Sequence, residues 1–208
     1  MYTIFADERV GKLMRQFFLS ILLVLGLSGS ALCEDFNKGL EAFKEGDHAS
    51  ALYTLTPLAN EGNVLSQFLL GIIYKQGRGV EKNLRLAVKW FRLAAEQGNA
   101  SAQFNLGVML HDGAGVIQDY REAFKWYKLA AEQGFDHSQL VLSSMYANGE
   151  GVKKDLVYAY MWANVSSASG YENARDVRDT IRNLMTNEQI ERSQNLAREC
   201  MNKNYQNC

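Results

Sequence analysis

The sequence predicts an all-α protein, a solenoid of stacked helical repeats closed by C-terminal capping helices. Three observations predict it. Trp90, Trp126 and Trp162 recur at intervals of 36 residues. Gly79, Gly115 and Gly151 keep the same interval, as do Gly98, Gly134 and Gly170. Residues 65–100 also align on residues 101–136 without a gap, with 17 identities in 36 positions, including the run 93–98 against 129–134. A period of about 20–50 residues carried by punctuating glycines and a fixed aromatic marks a stack of supersecondary units sharing one continuous core. One proline against seventeen glycines describes helices broken by glycine turns rather than strands.

The chain has 208 residues and is 47% hydrophobic, which suits one domain with a continuous core. A formal charge of -1 provides no polybasic face. Counterion-driven binding to nucleic acid or to an anionic membrane is therefore not expected.

Residues 1–33 are set apart as an N-terminal extension and signal peptide. Met14-Arg15-Gln16 is a short positive start, residues 17–27 are an apolar run, and residues 28–33 form a small-residue end. Asp7 and Glu8 make residues 1–13 a poor leader, so Met14 reads as the better initiator. The apolar run is shorter than the roughly 20 residues of a membrane span, so cleavage after Ser30 or after Cys33 is expected rather than anchoring. Acylation of Cys33 is disfavoured because Leu32 before it is not small. The mature protein would then be periplasmic or secreted. It would keep Cys200 and Cys208, either joined as a disulfide around a short loop, as an oxidising compartment favours, or free on the tail.

Residues 34–64 read as a first, shorter unit. Gly39, Ala42, Gly46 and Ala51 hold tetratricopeptide-like spacing with a loop four residues tighter, and Pro57 within the second helix should bend it. In the unit at 65–100, Phe68, Leu69, Ile72 and Ile73 mark a helix reaching about Gln76, which Gly77-Arg78-Gly79 breaks. Asn83, Asp119 and Asp155 each precede a second helix as N-caps, and Asp119 with Glu122 has capping-box spacing. Ala87, Trp90, Leu93 and Ala94 form the inward stripe of the second helix, and Gly98 ends it. The unit at 101–136 repeats this pattern, and residues 137–170 repeat it with changes. Residues 171–208 lose the period and read as two closing helices and a tail, the second helix opened by Thr186 with Gln189.

Gln67-Phe68, Leu70-Gly71, Gly77-Arg78-Gly79-Val80, Ala87-Val88-Lys89-Trp90-Phe91 and Ala94-Ala95-Glu96-Gln97-Gly98 closely resemble the Sel1-like repeat family. The match recurs over residues 103–134 and more weakly over 139–170. The resemblance implies antiparallel helix pairs stacked into a right-handed α-solenoid whose concave face binds proteins, often in envelope assembly, signalling or host interaction, and no chemistry. Ser143 departs from Gly71 and Gly107, and Ser166-Ser167 from the alanine pair, which questions the close packing at that end. Some exported relatives carry a cysteine pair in every repeat together with penicillin-binding or weak β-lactamase activity. No repeat here contains a cysteine, so that activity transfers poorly.

By the same resemblance the first helix of each unit lines the groove. Phe36, Leu40, Phe43 and Lys44 would be exposed there in the first unit, Phe68, Ile72, Lys75 and Gln76 in the second, and Phe104, Val108, His111 and Asp112 in the third. Apolar anchors with flanking charges suit an extended peptide or a partner helix. Phe68 and Phe104 have packing against the adjacent helix as their competing role, so Lys75, His111 and Asp112 are the better indicators. The three tryptophans read as core. His48, His111 and His137 lie in different units without ligand spacing, and no nucleophile-elbow, zincin or phosphate-loop pattern occurs. The expectation is an exported, non-enzymatic adaptor without metal or cofactor, binding a protein or peptide. A cell-wall hydrolase or peptidoglycan-binding factor is the alternative. Monomer and end-to-end dimer both stay open.

Overall fold

A computed structural model of the chain describes residues 33–208. The signal segment and its two cleavage sites, apart from Cys33, lie outside these residues. The described residues form ten helices: α1 over residues 33–45, α2 His48–Asn60, α3 Val64–Gln76, α4 Leu84–Glu96, α5 Ala100–Asp112, α6 Tyr120–Ala131, α7 Asp136–Asn148, α8 Leu156–Ala168, α9 Glu172–Arg182 and α10 Asn187–Asn202. None is long and apolar enough to cross a membrane. The chain divides into two compact units, one ending at Leu58 and one spanning Ala59–Cys208.

In the first unit, Gly39 on α1 is buried against α2, where a Cβ would lie 2.6 Å from Leu55 Cδ2. Asp47 begins α2 by accepting from the Ser50 N–H, and Pro57 lies inside that helix. The second unit is a helical repeat solenoid in which α3 packs on α4, α5 on α6 and α7 on α8, each pair also meeting the next. The helices start and stop where the chain supplies the chemistry. Asn83 accepts from the Leu86 N–H, Asp119 from Arg121 and Glu122, and Asp155 from Val157 and Tyr158. Thr186 and Gln189 close a full capping box. Glu122 does not close one. Its carboxylate instead accepts from Arg92 at 2.6 Å and from Trp126 Nε1 at 3.3 Å, tying α4 to α6.

The inward stripe differs from the one read in the sequence. Phe91 and Tyr127, one residue after the tryptophans, are buried to 0% and 2% exposure, whereas Leu93 and Trp126 are only half-buried. Trp90 and Trp162 are buried. The rings of Phe91 and Tyr127 press on glycines: a Cβ at Gly71 would stand 2.5 Å from Phe91 and one at Gly107 2.8 Å from Tyr127. In the next repeat the matching positions are Ser143 and Ala163, both fully buried. With no ring at 163, the steric limit that keeps positions 71 and 107 as glycine is absent at 143, although the Ser143 hydroxyl is buried without a hydrogen-bond partner.

A second device joins repeat to repeat. Buried Gln67, Gln103 and Gln139 each donate Nε2 to a carbonyl of the preceding helix, at Ala59, Ala95 and Ala131. Gln97 and Gln133 then donate to the Oε1 of Gln67 and Gln103, both at 2.8 Å. Ser169 holds the matching place in the third rung and turns its hydroxyl to Val165 O, leaving Gln139 Oε1 buried without a partner. A buried acceptor left unpaired costs about 1–3 kcal/mol.

The cap is α9, α10 and the tail. Cys200 and Cys208 form a disulfide, and Gln206 donates to Glu132 O, so the tail returns onto the loop after α6. Supplying the missing rung should stabilise the fold. Ser169→Gln is expected to raise unfolding free energy by about 0.5–1.5 kcal/mol in urea denaturation, the usual net worth of one hydrogen bond. Ser169→Ala, which makes no new bond, should not.

Candidate functional site

Scaffolding occupies most buried positions, so a binding surface must be sought among side chains that the stack leaves partly open. On α3 and α5 these are the residues at the i, i+4, i+7 and i+8 positions, Phe68, Ile72, Lys75 and Gln76 on α3 and Phe104, Val108, His111 and Asp112 on α5. Phe68, Ile72, Phe104 and Val108 are half-buried and pack against the core with one side. Phe68 meets Phe91 at a centroid distance of 6.0 Å and Phe104 meets Tyr127 at 5.8 Å. Both aromatic anchors thus serve the core and keep only part of their surface for a ligand. Gln76 and Asp112 are exposed at the ends of the same helices, and Lys75 and His111 are half-buried beside them.

Two clusters form along this face. At the start of α5, Phe104 lies 5.2 Å from Phe135 and 5.8 Å from His137, and His137 lies 4.7 Å from Tyr171. Phe135 and Tyr171 stand where helices α7 and α9 begin without a side-chain cap. Asn99 in the same phase does cap its helix, so cap chemistry has been exchanged for aromatic surface. Polar side chains of three repeats gather along α5, from Asn105 beside Phe104 to His111 and Asp112 roughly 10 Å further on at 1.5 Å per residue. Lys75 donates to Asn105 Oδ1 at 2.9 Å. His111 Nδ1 lies 3.0 Å from Asp112, its Nε2 lies 3.4 Å from Glu150, and its ring meets Tyr120 edge-on at 4.9 Å. Gln118 holds Tyr120 in place by donating to its hydroxyl and to His111 O.

The electrostatics follow from this packing. Burial lowers the Lys75 ammonium pKa, an effect that the Asp112 charge partly offsets. Burial also opposes the charged His111, but hydrogen bonds and charge from Asp112 and Glu150 outweigh it and raise the imidazole above its ordinary 6.5.

Lys75, His111 and Asp112 therefore share one neighbourhood, with Asn105, Gln118, Tyr120 and Glu150 added by the fold. His111 and Glu150 are 39 residues apart, so no local spacing announces the pair. Phe36, Leu40 and Phe43 are half-buried on α1 and Lys44 is exposed; Phe43 lies 5.8 Å from the His48 ring within the first unit. Among the described residues no group of three His, Cys, Asp or Glu side chains is placed to hold a metal ion.

The Sel1 repeat model matches residues 64–99, 100–135 and 136–171, together more than half of the chain. The chain belongs to the Sel1 repeat family, whose repeats generally mediate protein–protein interactions, and a scaffold role is supported. A Sel1 repeat protein from Oxalobacter formigenes is 35% identical, with a TM-score of 0.62 over 66% of this chain and 56% of its own. The protein c5321, described as a protective antigen present in uropathogenic Escherichia coli strains and displaying an SLR fold, is 27% identical. Its TM-score is 0.59 over 84% of this chain and 46% of its own. The chain thus spans about half the length of these two proteins. Comparison with curated protein sequences finds no match.

The raised His111 pKa makes its contribution to stability pH-dependent. The protonated ring is favoured in the fold, so its stabilisation is fully present below the unfolded value of about 6.5 and is lost as pH rises through the raised value. His111→Gln should therefore cost more stability at about pH 5.5 than at about pH 8.5, the difference staying within about 1 kcal/mol for a partly exposed pair. Urea denaturation of both proteins at the two pH values measures it.

Proposed function

We propose that this protein is an exported, non-enzymatic adaptor that binds a partner protein or peptide along the first-helix face of α3, α5 and α7, the concave side in the family's geometry. The observation that carries this reading is the polar cluster of Lys75, Asn105, His111, Asp112 and Glu150. It draws on three successive repeats and runs beside a half-open apolar row. Phe68, Ile72, Phe104 and Val108 offer apolar contact, and Phe135, His137 and Tyr171 extend it with aromatic faces. Aromatic anchors beside fixed charges set both affinity and register for an extended segment or a helix. Phe36, Leu40, Phe43 and Lys44 offer a face of the same composition on α1 by itself.

Export is supported by the signal-like composition of residues 14–33 and by the disulfide, which suits an oxidising compartment. The mature protein is then periplasmic or secreted, acting in envelope assembly, signalling or host interaction. A protective antigen meets a host's immune system, so the description of c5321 accords with that setting.

The test is crosslinking affinity capture from the envelope of the producing bacterium with the chain from Glu34 onward as bait. A Lys75→Glu, Asp112→Lys variant with unchanged circular dichroism is run in parallel. A protein captured by the native chain should be lost, or reduced at least about tenfold, with the variant, as expected when interface charges lose 1.4 kcal/mol or more. Equal capture by both would place the interface elsewhere.

A further inference from the structure

Helices α8, α9 and α10 diverge around a cleft of about 530 Å³. Arg175, Arg178 and Arg198 line it, and no carboxylate does. Arg178 is fixed: it pairs with Asp179 through Nε and Nη2 at 2.9 and 2.8 Å and reaches Ser167 Oγ at 3.5 Å. Arg198 is steadied by the Asn195 side chain. Arg175 is exposed and has no hydrogen-bond or ion-pair partner among the described residues. Amides of Asn164 and Gln194 share the wall, and the Asn164 Nδ2 has no hydrogen-bond partner.

Among the described residues, charge does not balance inside this cleft. The C-terminal end of α8 offers about half a negative charge and Asp179 offers one, against three guanidiniums, leaving an excess of roughly one and a half positive charges. A cover for the last repeat needs only a polar outer surface. Three like charges turned into one concavity repel one another and focus a positive potential there, which an anion would relieve. The cleft has the size of a ligand pocket, roughly 300–1,000 Å³, and is large beside a single phosphate. Guanidinium forks match carboxylates, the Asn164 and Gln194 amides suit a peptide backbone, and Ala197 and Met201 supply an apolar floor.

We propose that this cleft is a second binding site, for a carboxylate-bearing peptide segment of a partner protein. It rests on the adaptor reading only in taking the ligand to be protein, and it shares no residue with the first-helix face.

Fluorescence anisotropy of a fluorescein-labelled oligoglutamate peptide with the purified protein tests it, with a phosphoserine peptide of equal length as comparator. Saturable binding is expected to weaken at least about tenfold in Arg175→Gln, Arg198→Gln, with the melting temperature unchanged, as loss of two charge-assisted contacts implies. Arg85→Gln, Lys125→Gln, which removes the same charge from exposed positions on α4 and α6, should leave it intact. Lys75→Glu should also leave it intact, which separates this site from the first-helix face. The proposal is overturned by absent saturation, by unchanged binding to the cleft variant, by an equal loss in the remote variant, or by preferential binding of the phosphoserine peptide.

Discussion

The contact on which the stack depends is an aromatic ring lying on a glycine. Phe91 on Gly71 and Tyr127 on Gly107 bring the two helices of a repeat together without an intervening Cβ, and Leu55 on Gly39 does the same in the first unit. That proximity lets small alanines, Ala87, Ala94, Ala123 and Ala130, pack without voids at full burial. Ser143 faces Ala163 in the same phase, so the one repeat with a side chain at the glycine position is also the one without a ring opposite it. The loop glycines obey a related limit. A Cβ on Gly151, at φ 67°, would meet the Tyr120 carbonyl, and one on Gly115, at φ 76°, would meet Leu84, so each loop lies directly on the second helix of the repeat before it.

Repeat-to-repeat geometry is then set by polar side chains rather than by more apolar surface. The bonds from Gln103 to Ala95 O and from Gln139 to Ala131 O, with Arg92 on Glu122, are directional and join each repeat to the next, while Gln67–Gln97 and Gln103–Gln133 tie the two helices within a repeat. Directional bonds between repeats fix how far each first helix is turned, and so fix the spacing of Lys75, His111 and their partners. The proposed recognition surface is a by-product of the scaffold: its residues are those at which the repeats are free to differ. Lys75, His111 and Ala147 occupy one phase, as do Gln76, Asp112 and Asn148. Neither set is constrained by the glycine contacts or by the glutamine rungs.

Much of the fold was legible because repetition writes it several times. The caps at Asn83, Asp119 and Asp155, the break at Gly77 and the box at Thr186 all follow from local chemistry, and the structure places them as read. The reading of the tryptophans as core holds at Trp90 and Trp162, which are buried, while Trp126 is half-buried. What it missed is the neighbouring aromatic, since Phe91 and Tyr127 are the smaller rings that lie over glycine. Aligning position 71 with 91, 107 with 127 and 143 with 163 carries that signal within one chain. Lys75, His111 and Asp112 of the polar cluster were singled out by helix phase, but their partners Asn105, Tyr120 and Glu150 and the arginine cleft had no such signal. The cluster joins a helix end to the loop of the next repeat, and the cleft arises among α8, α9 and α10, where the period has ended.

A double-mutant cycle between positions 107 and 127 tests most directly whether the ring-on-glycine contact sets the helix spacing. Gly107→Ser, Tyr127→Ala and the pair would be compared by urea denaturation, the pair reproducing the Ser143 and Ala163 combination. Mutual adjustment requires the double variant to be more stable than the sum of the single losses by about 1–2 kcal/mol, well outside the 0.3–0.5 kcal/mol scatter of independent sites. Additive losses would show that the two positions do not sense each other and that the spacing is set elsewhere.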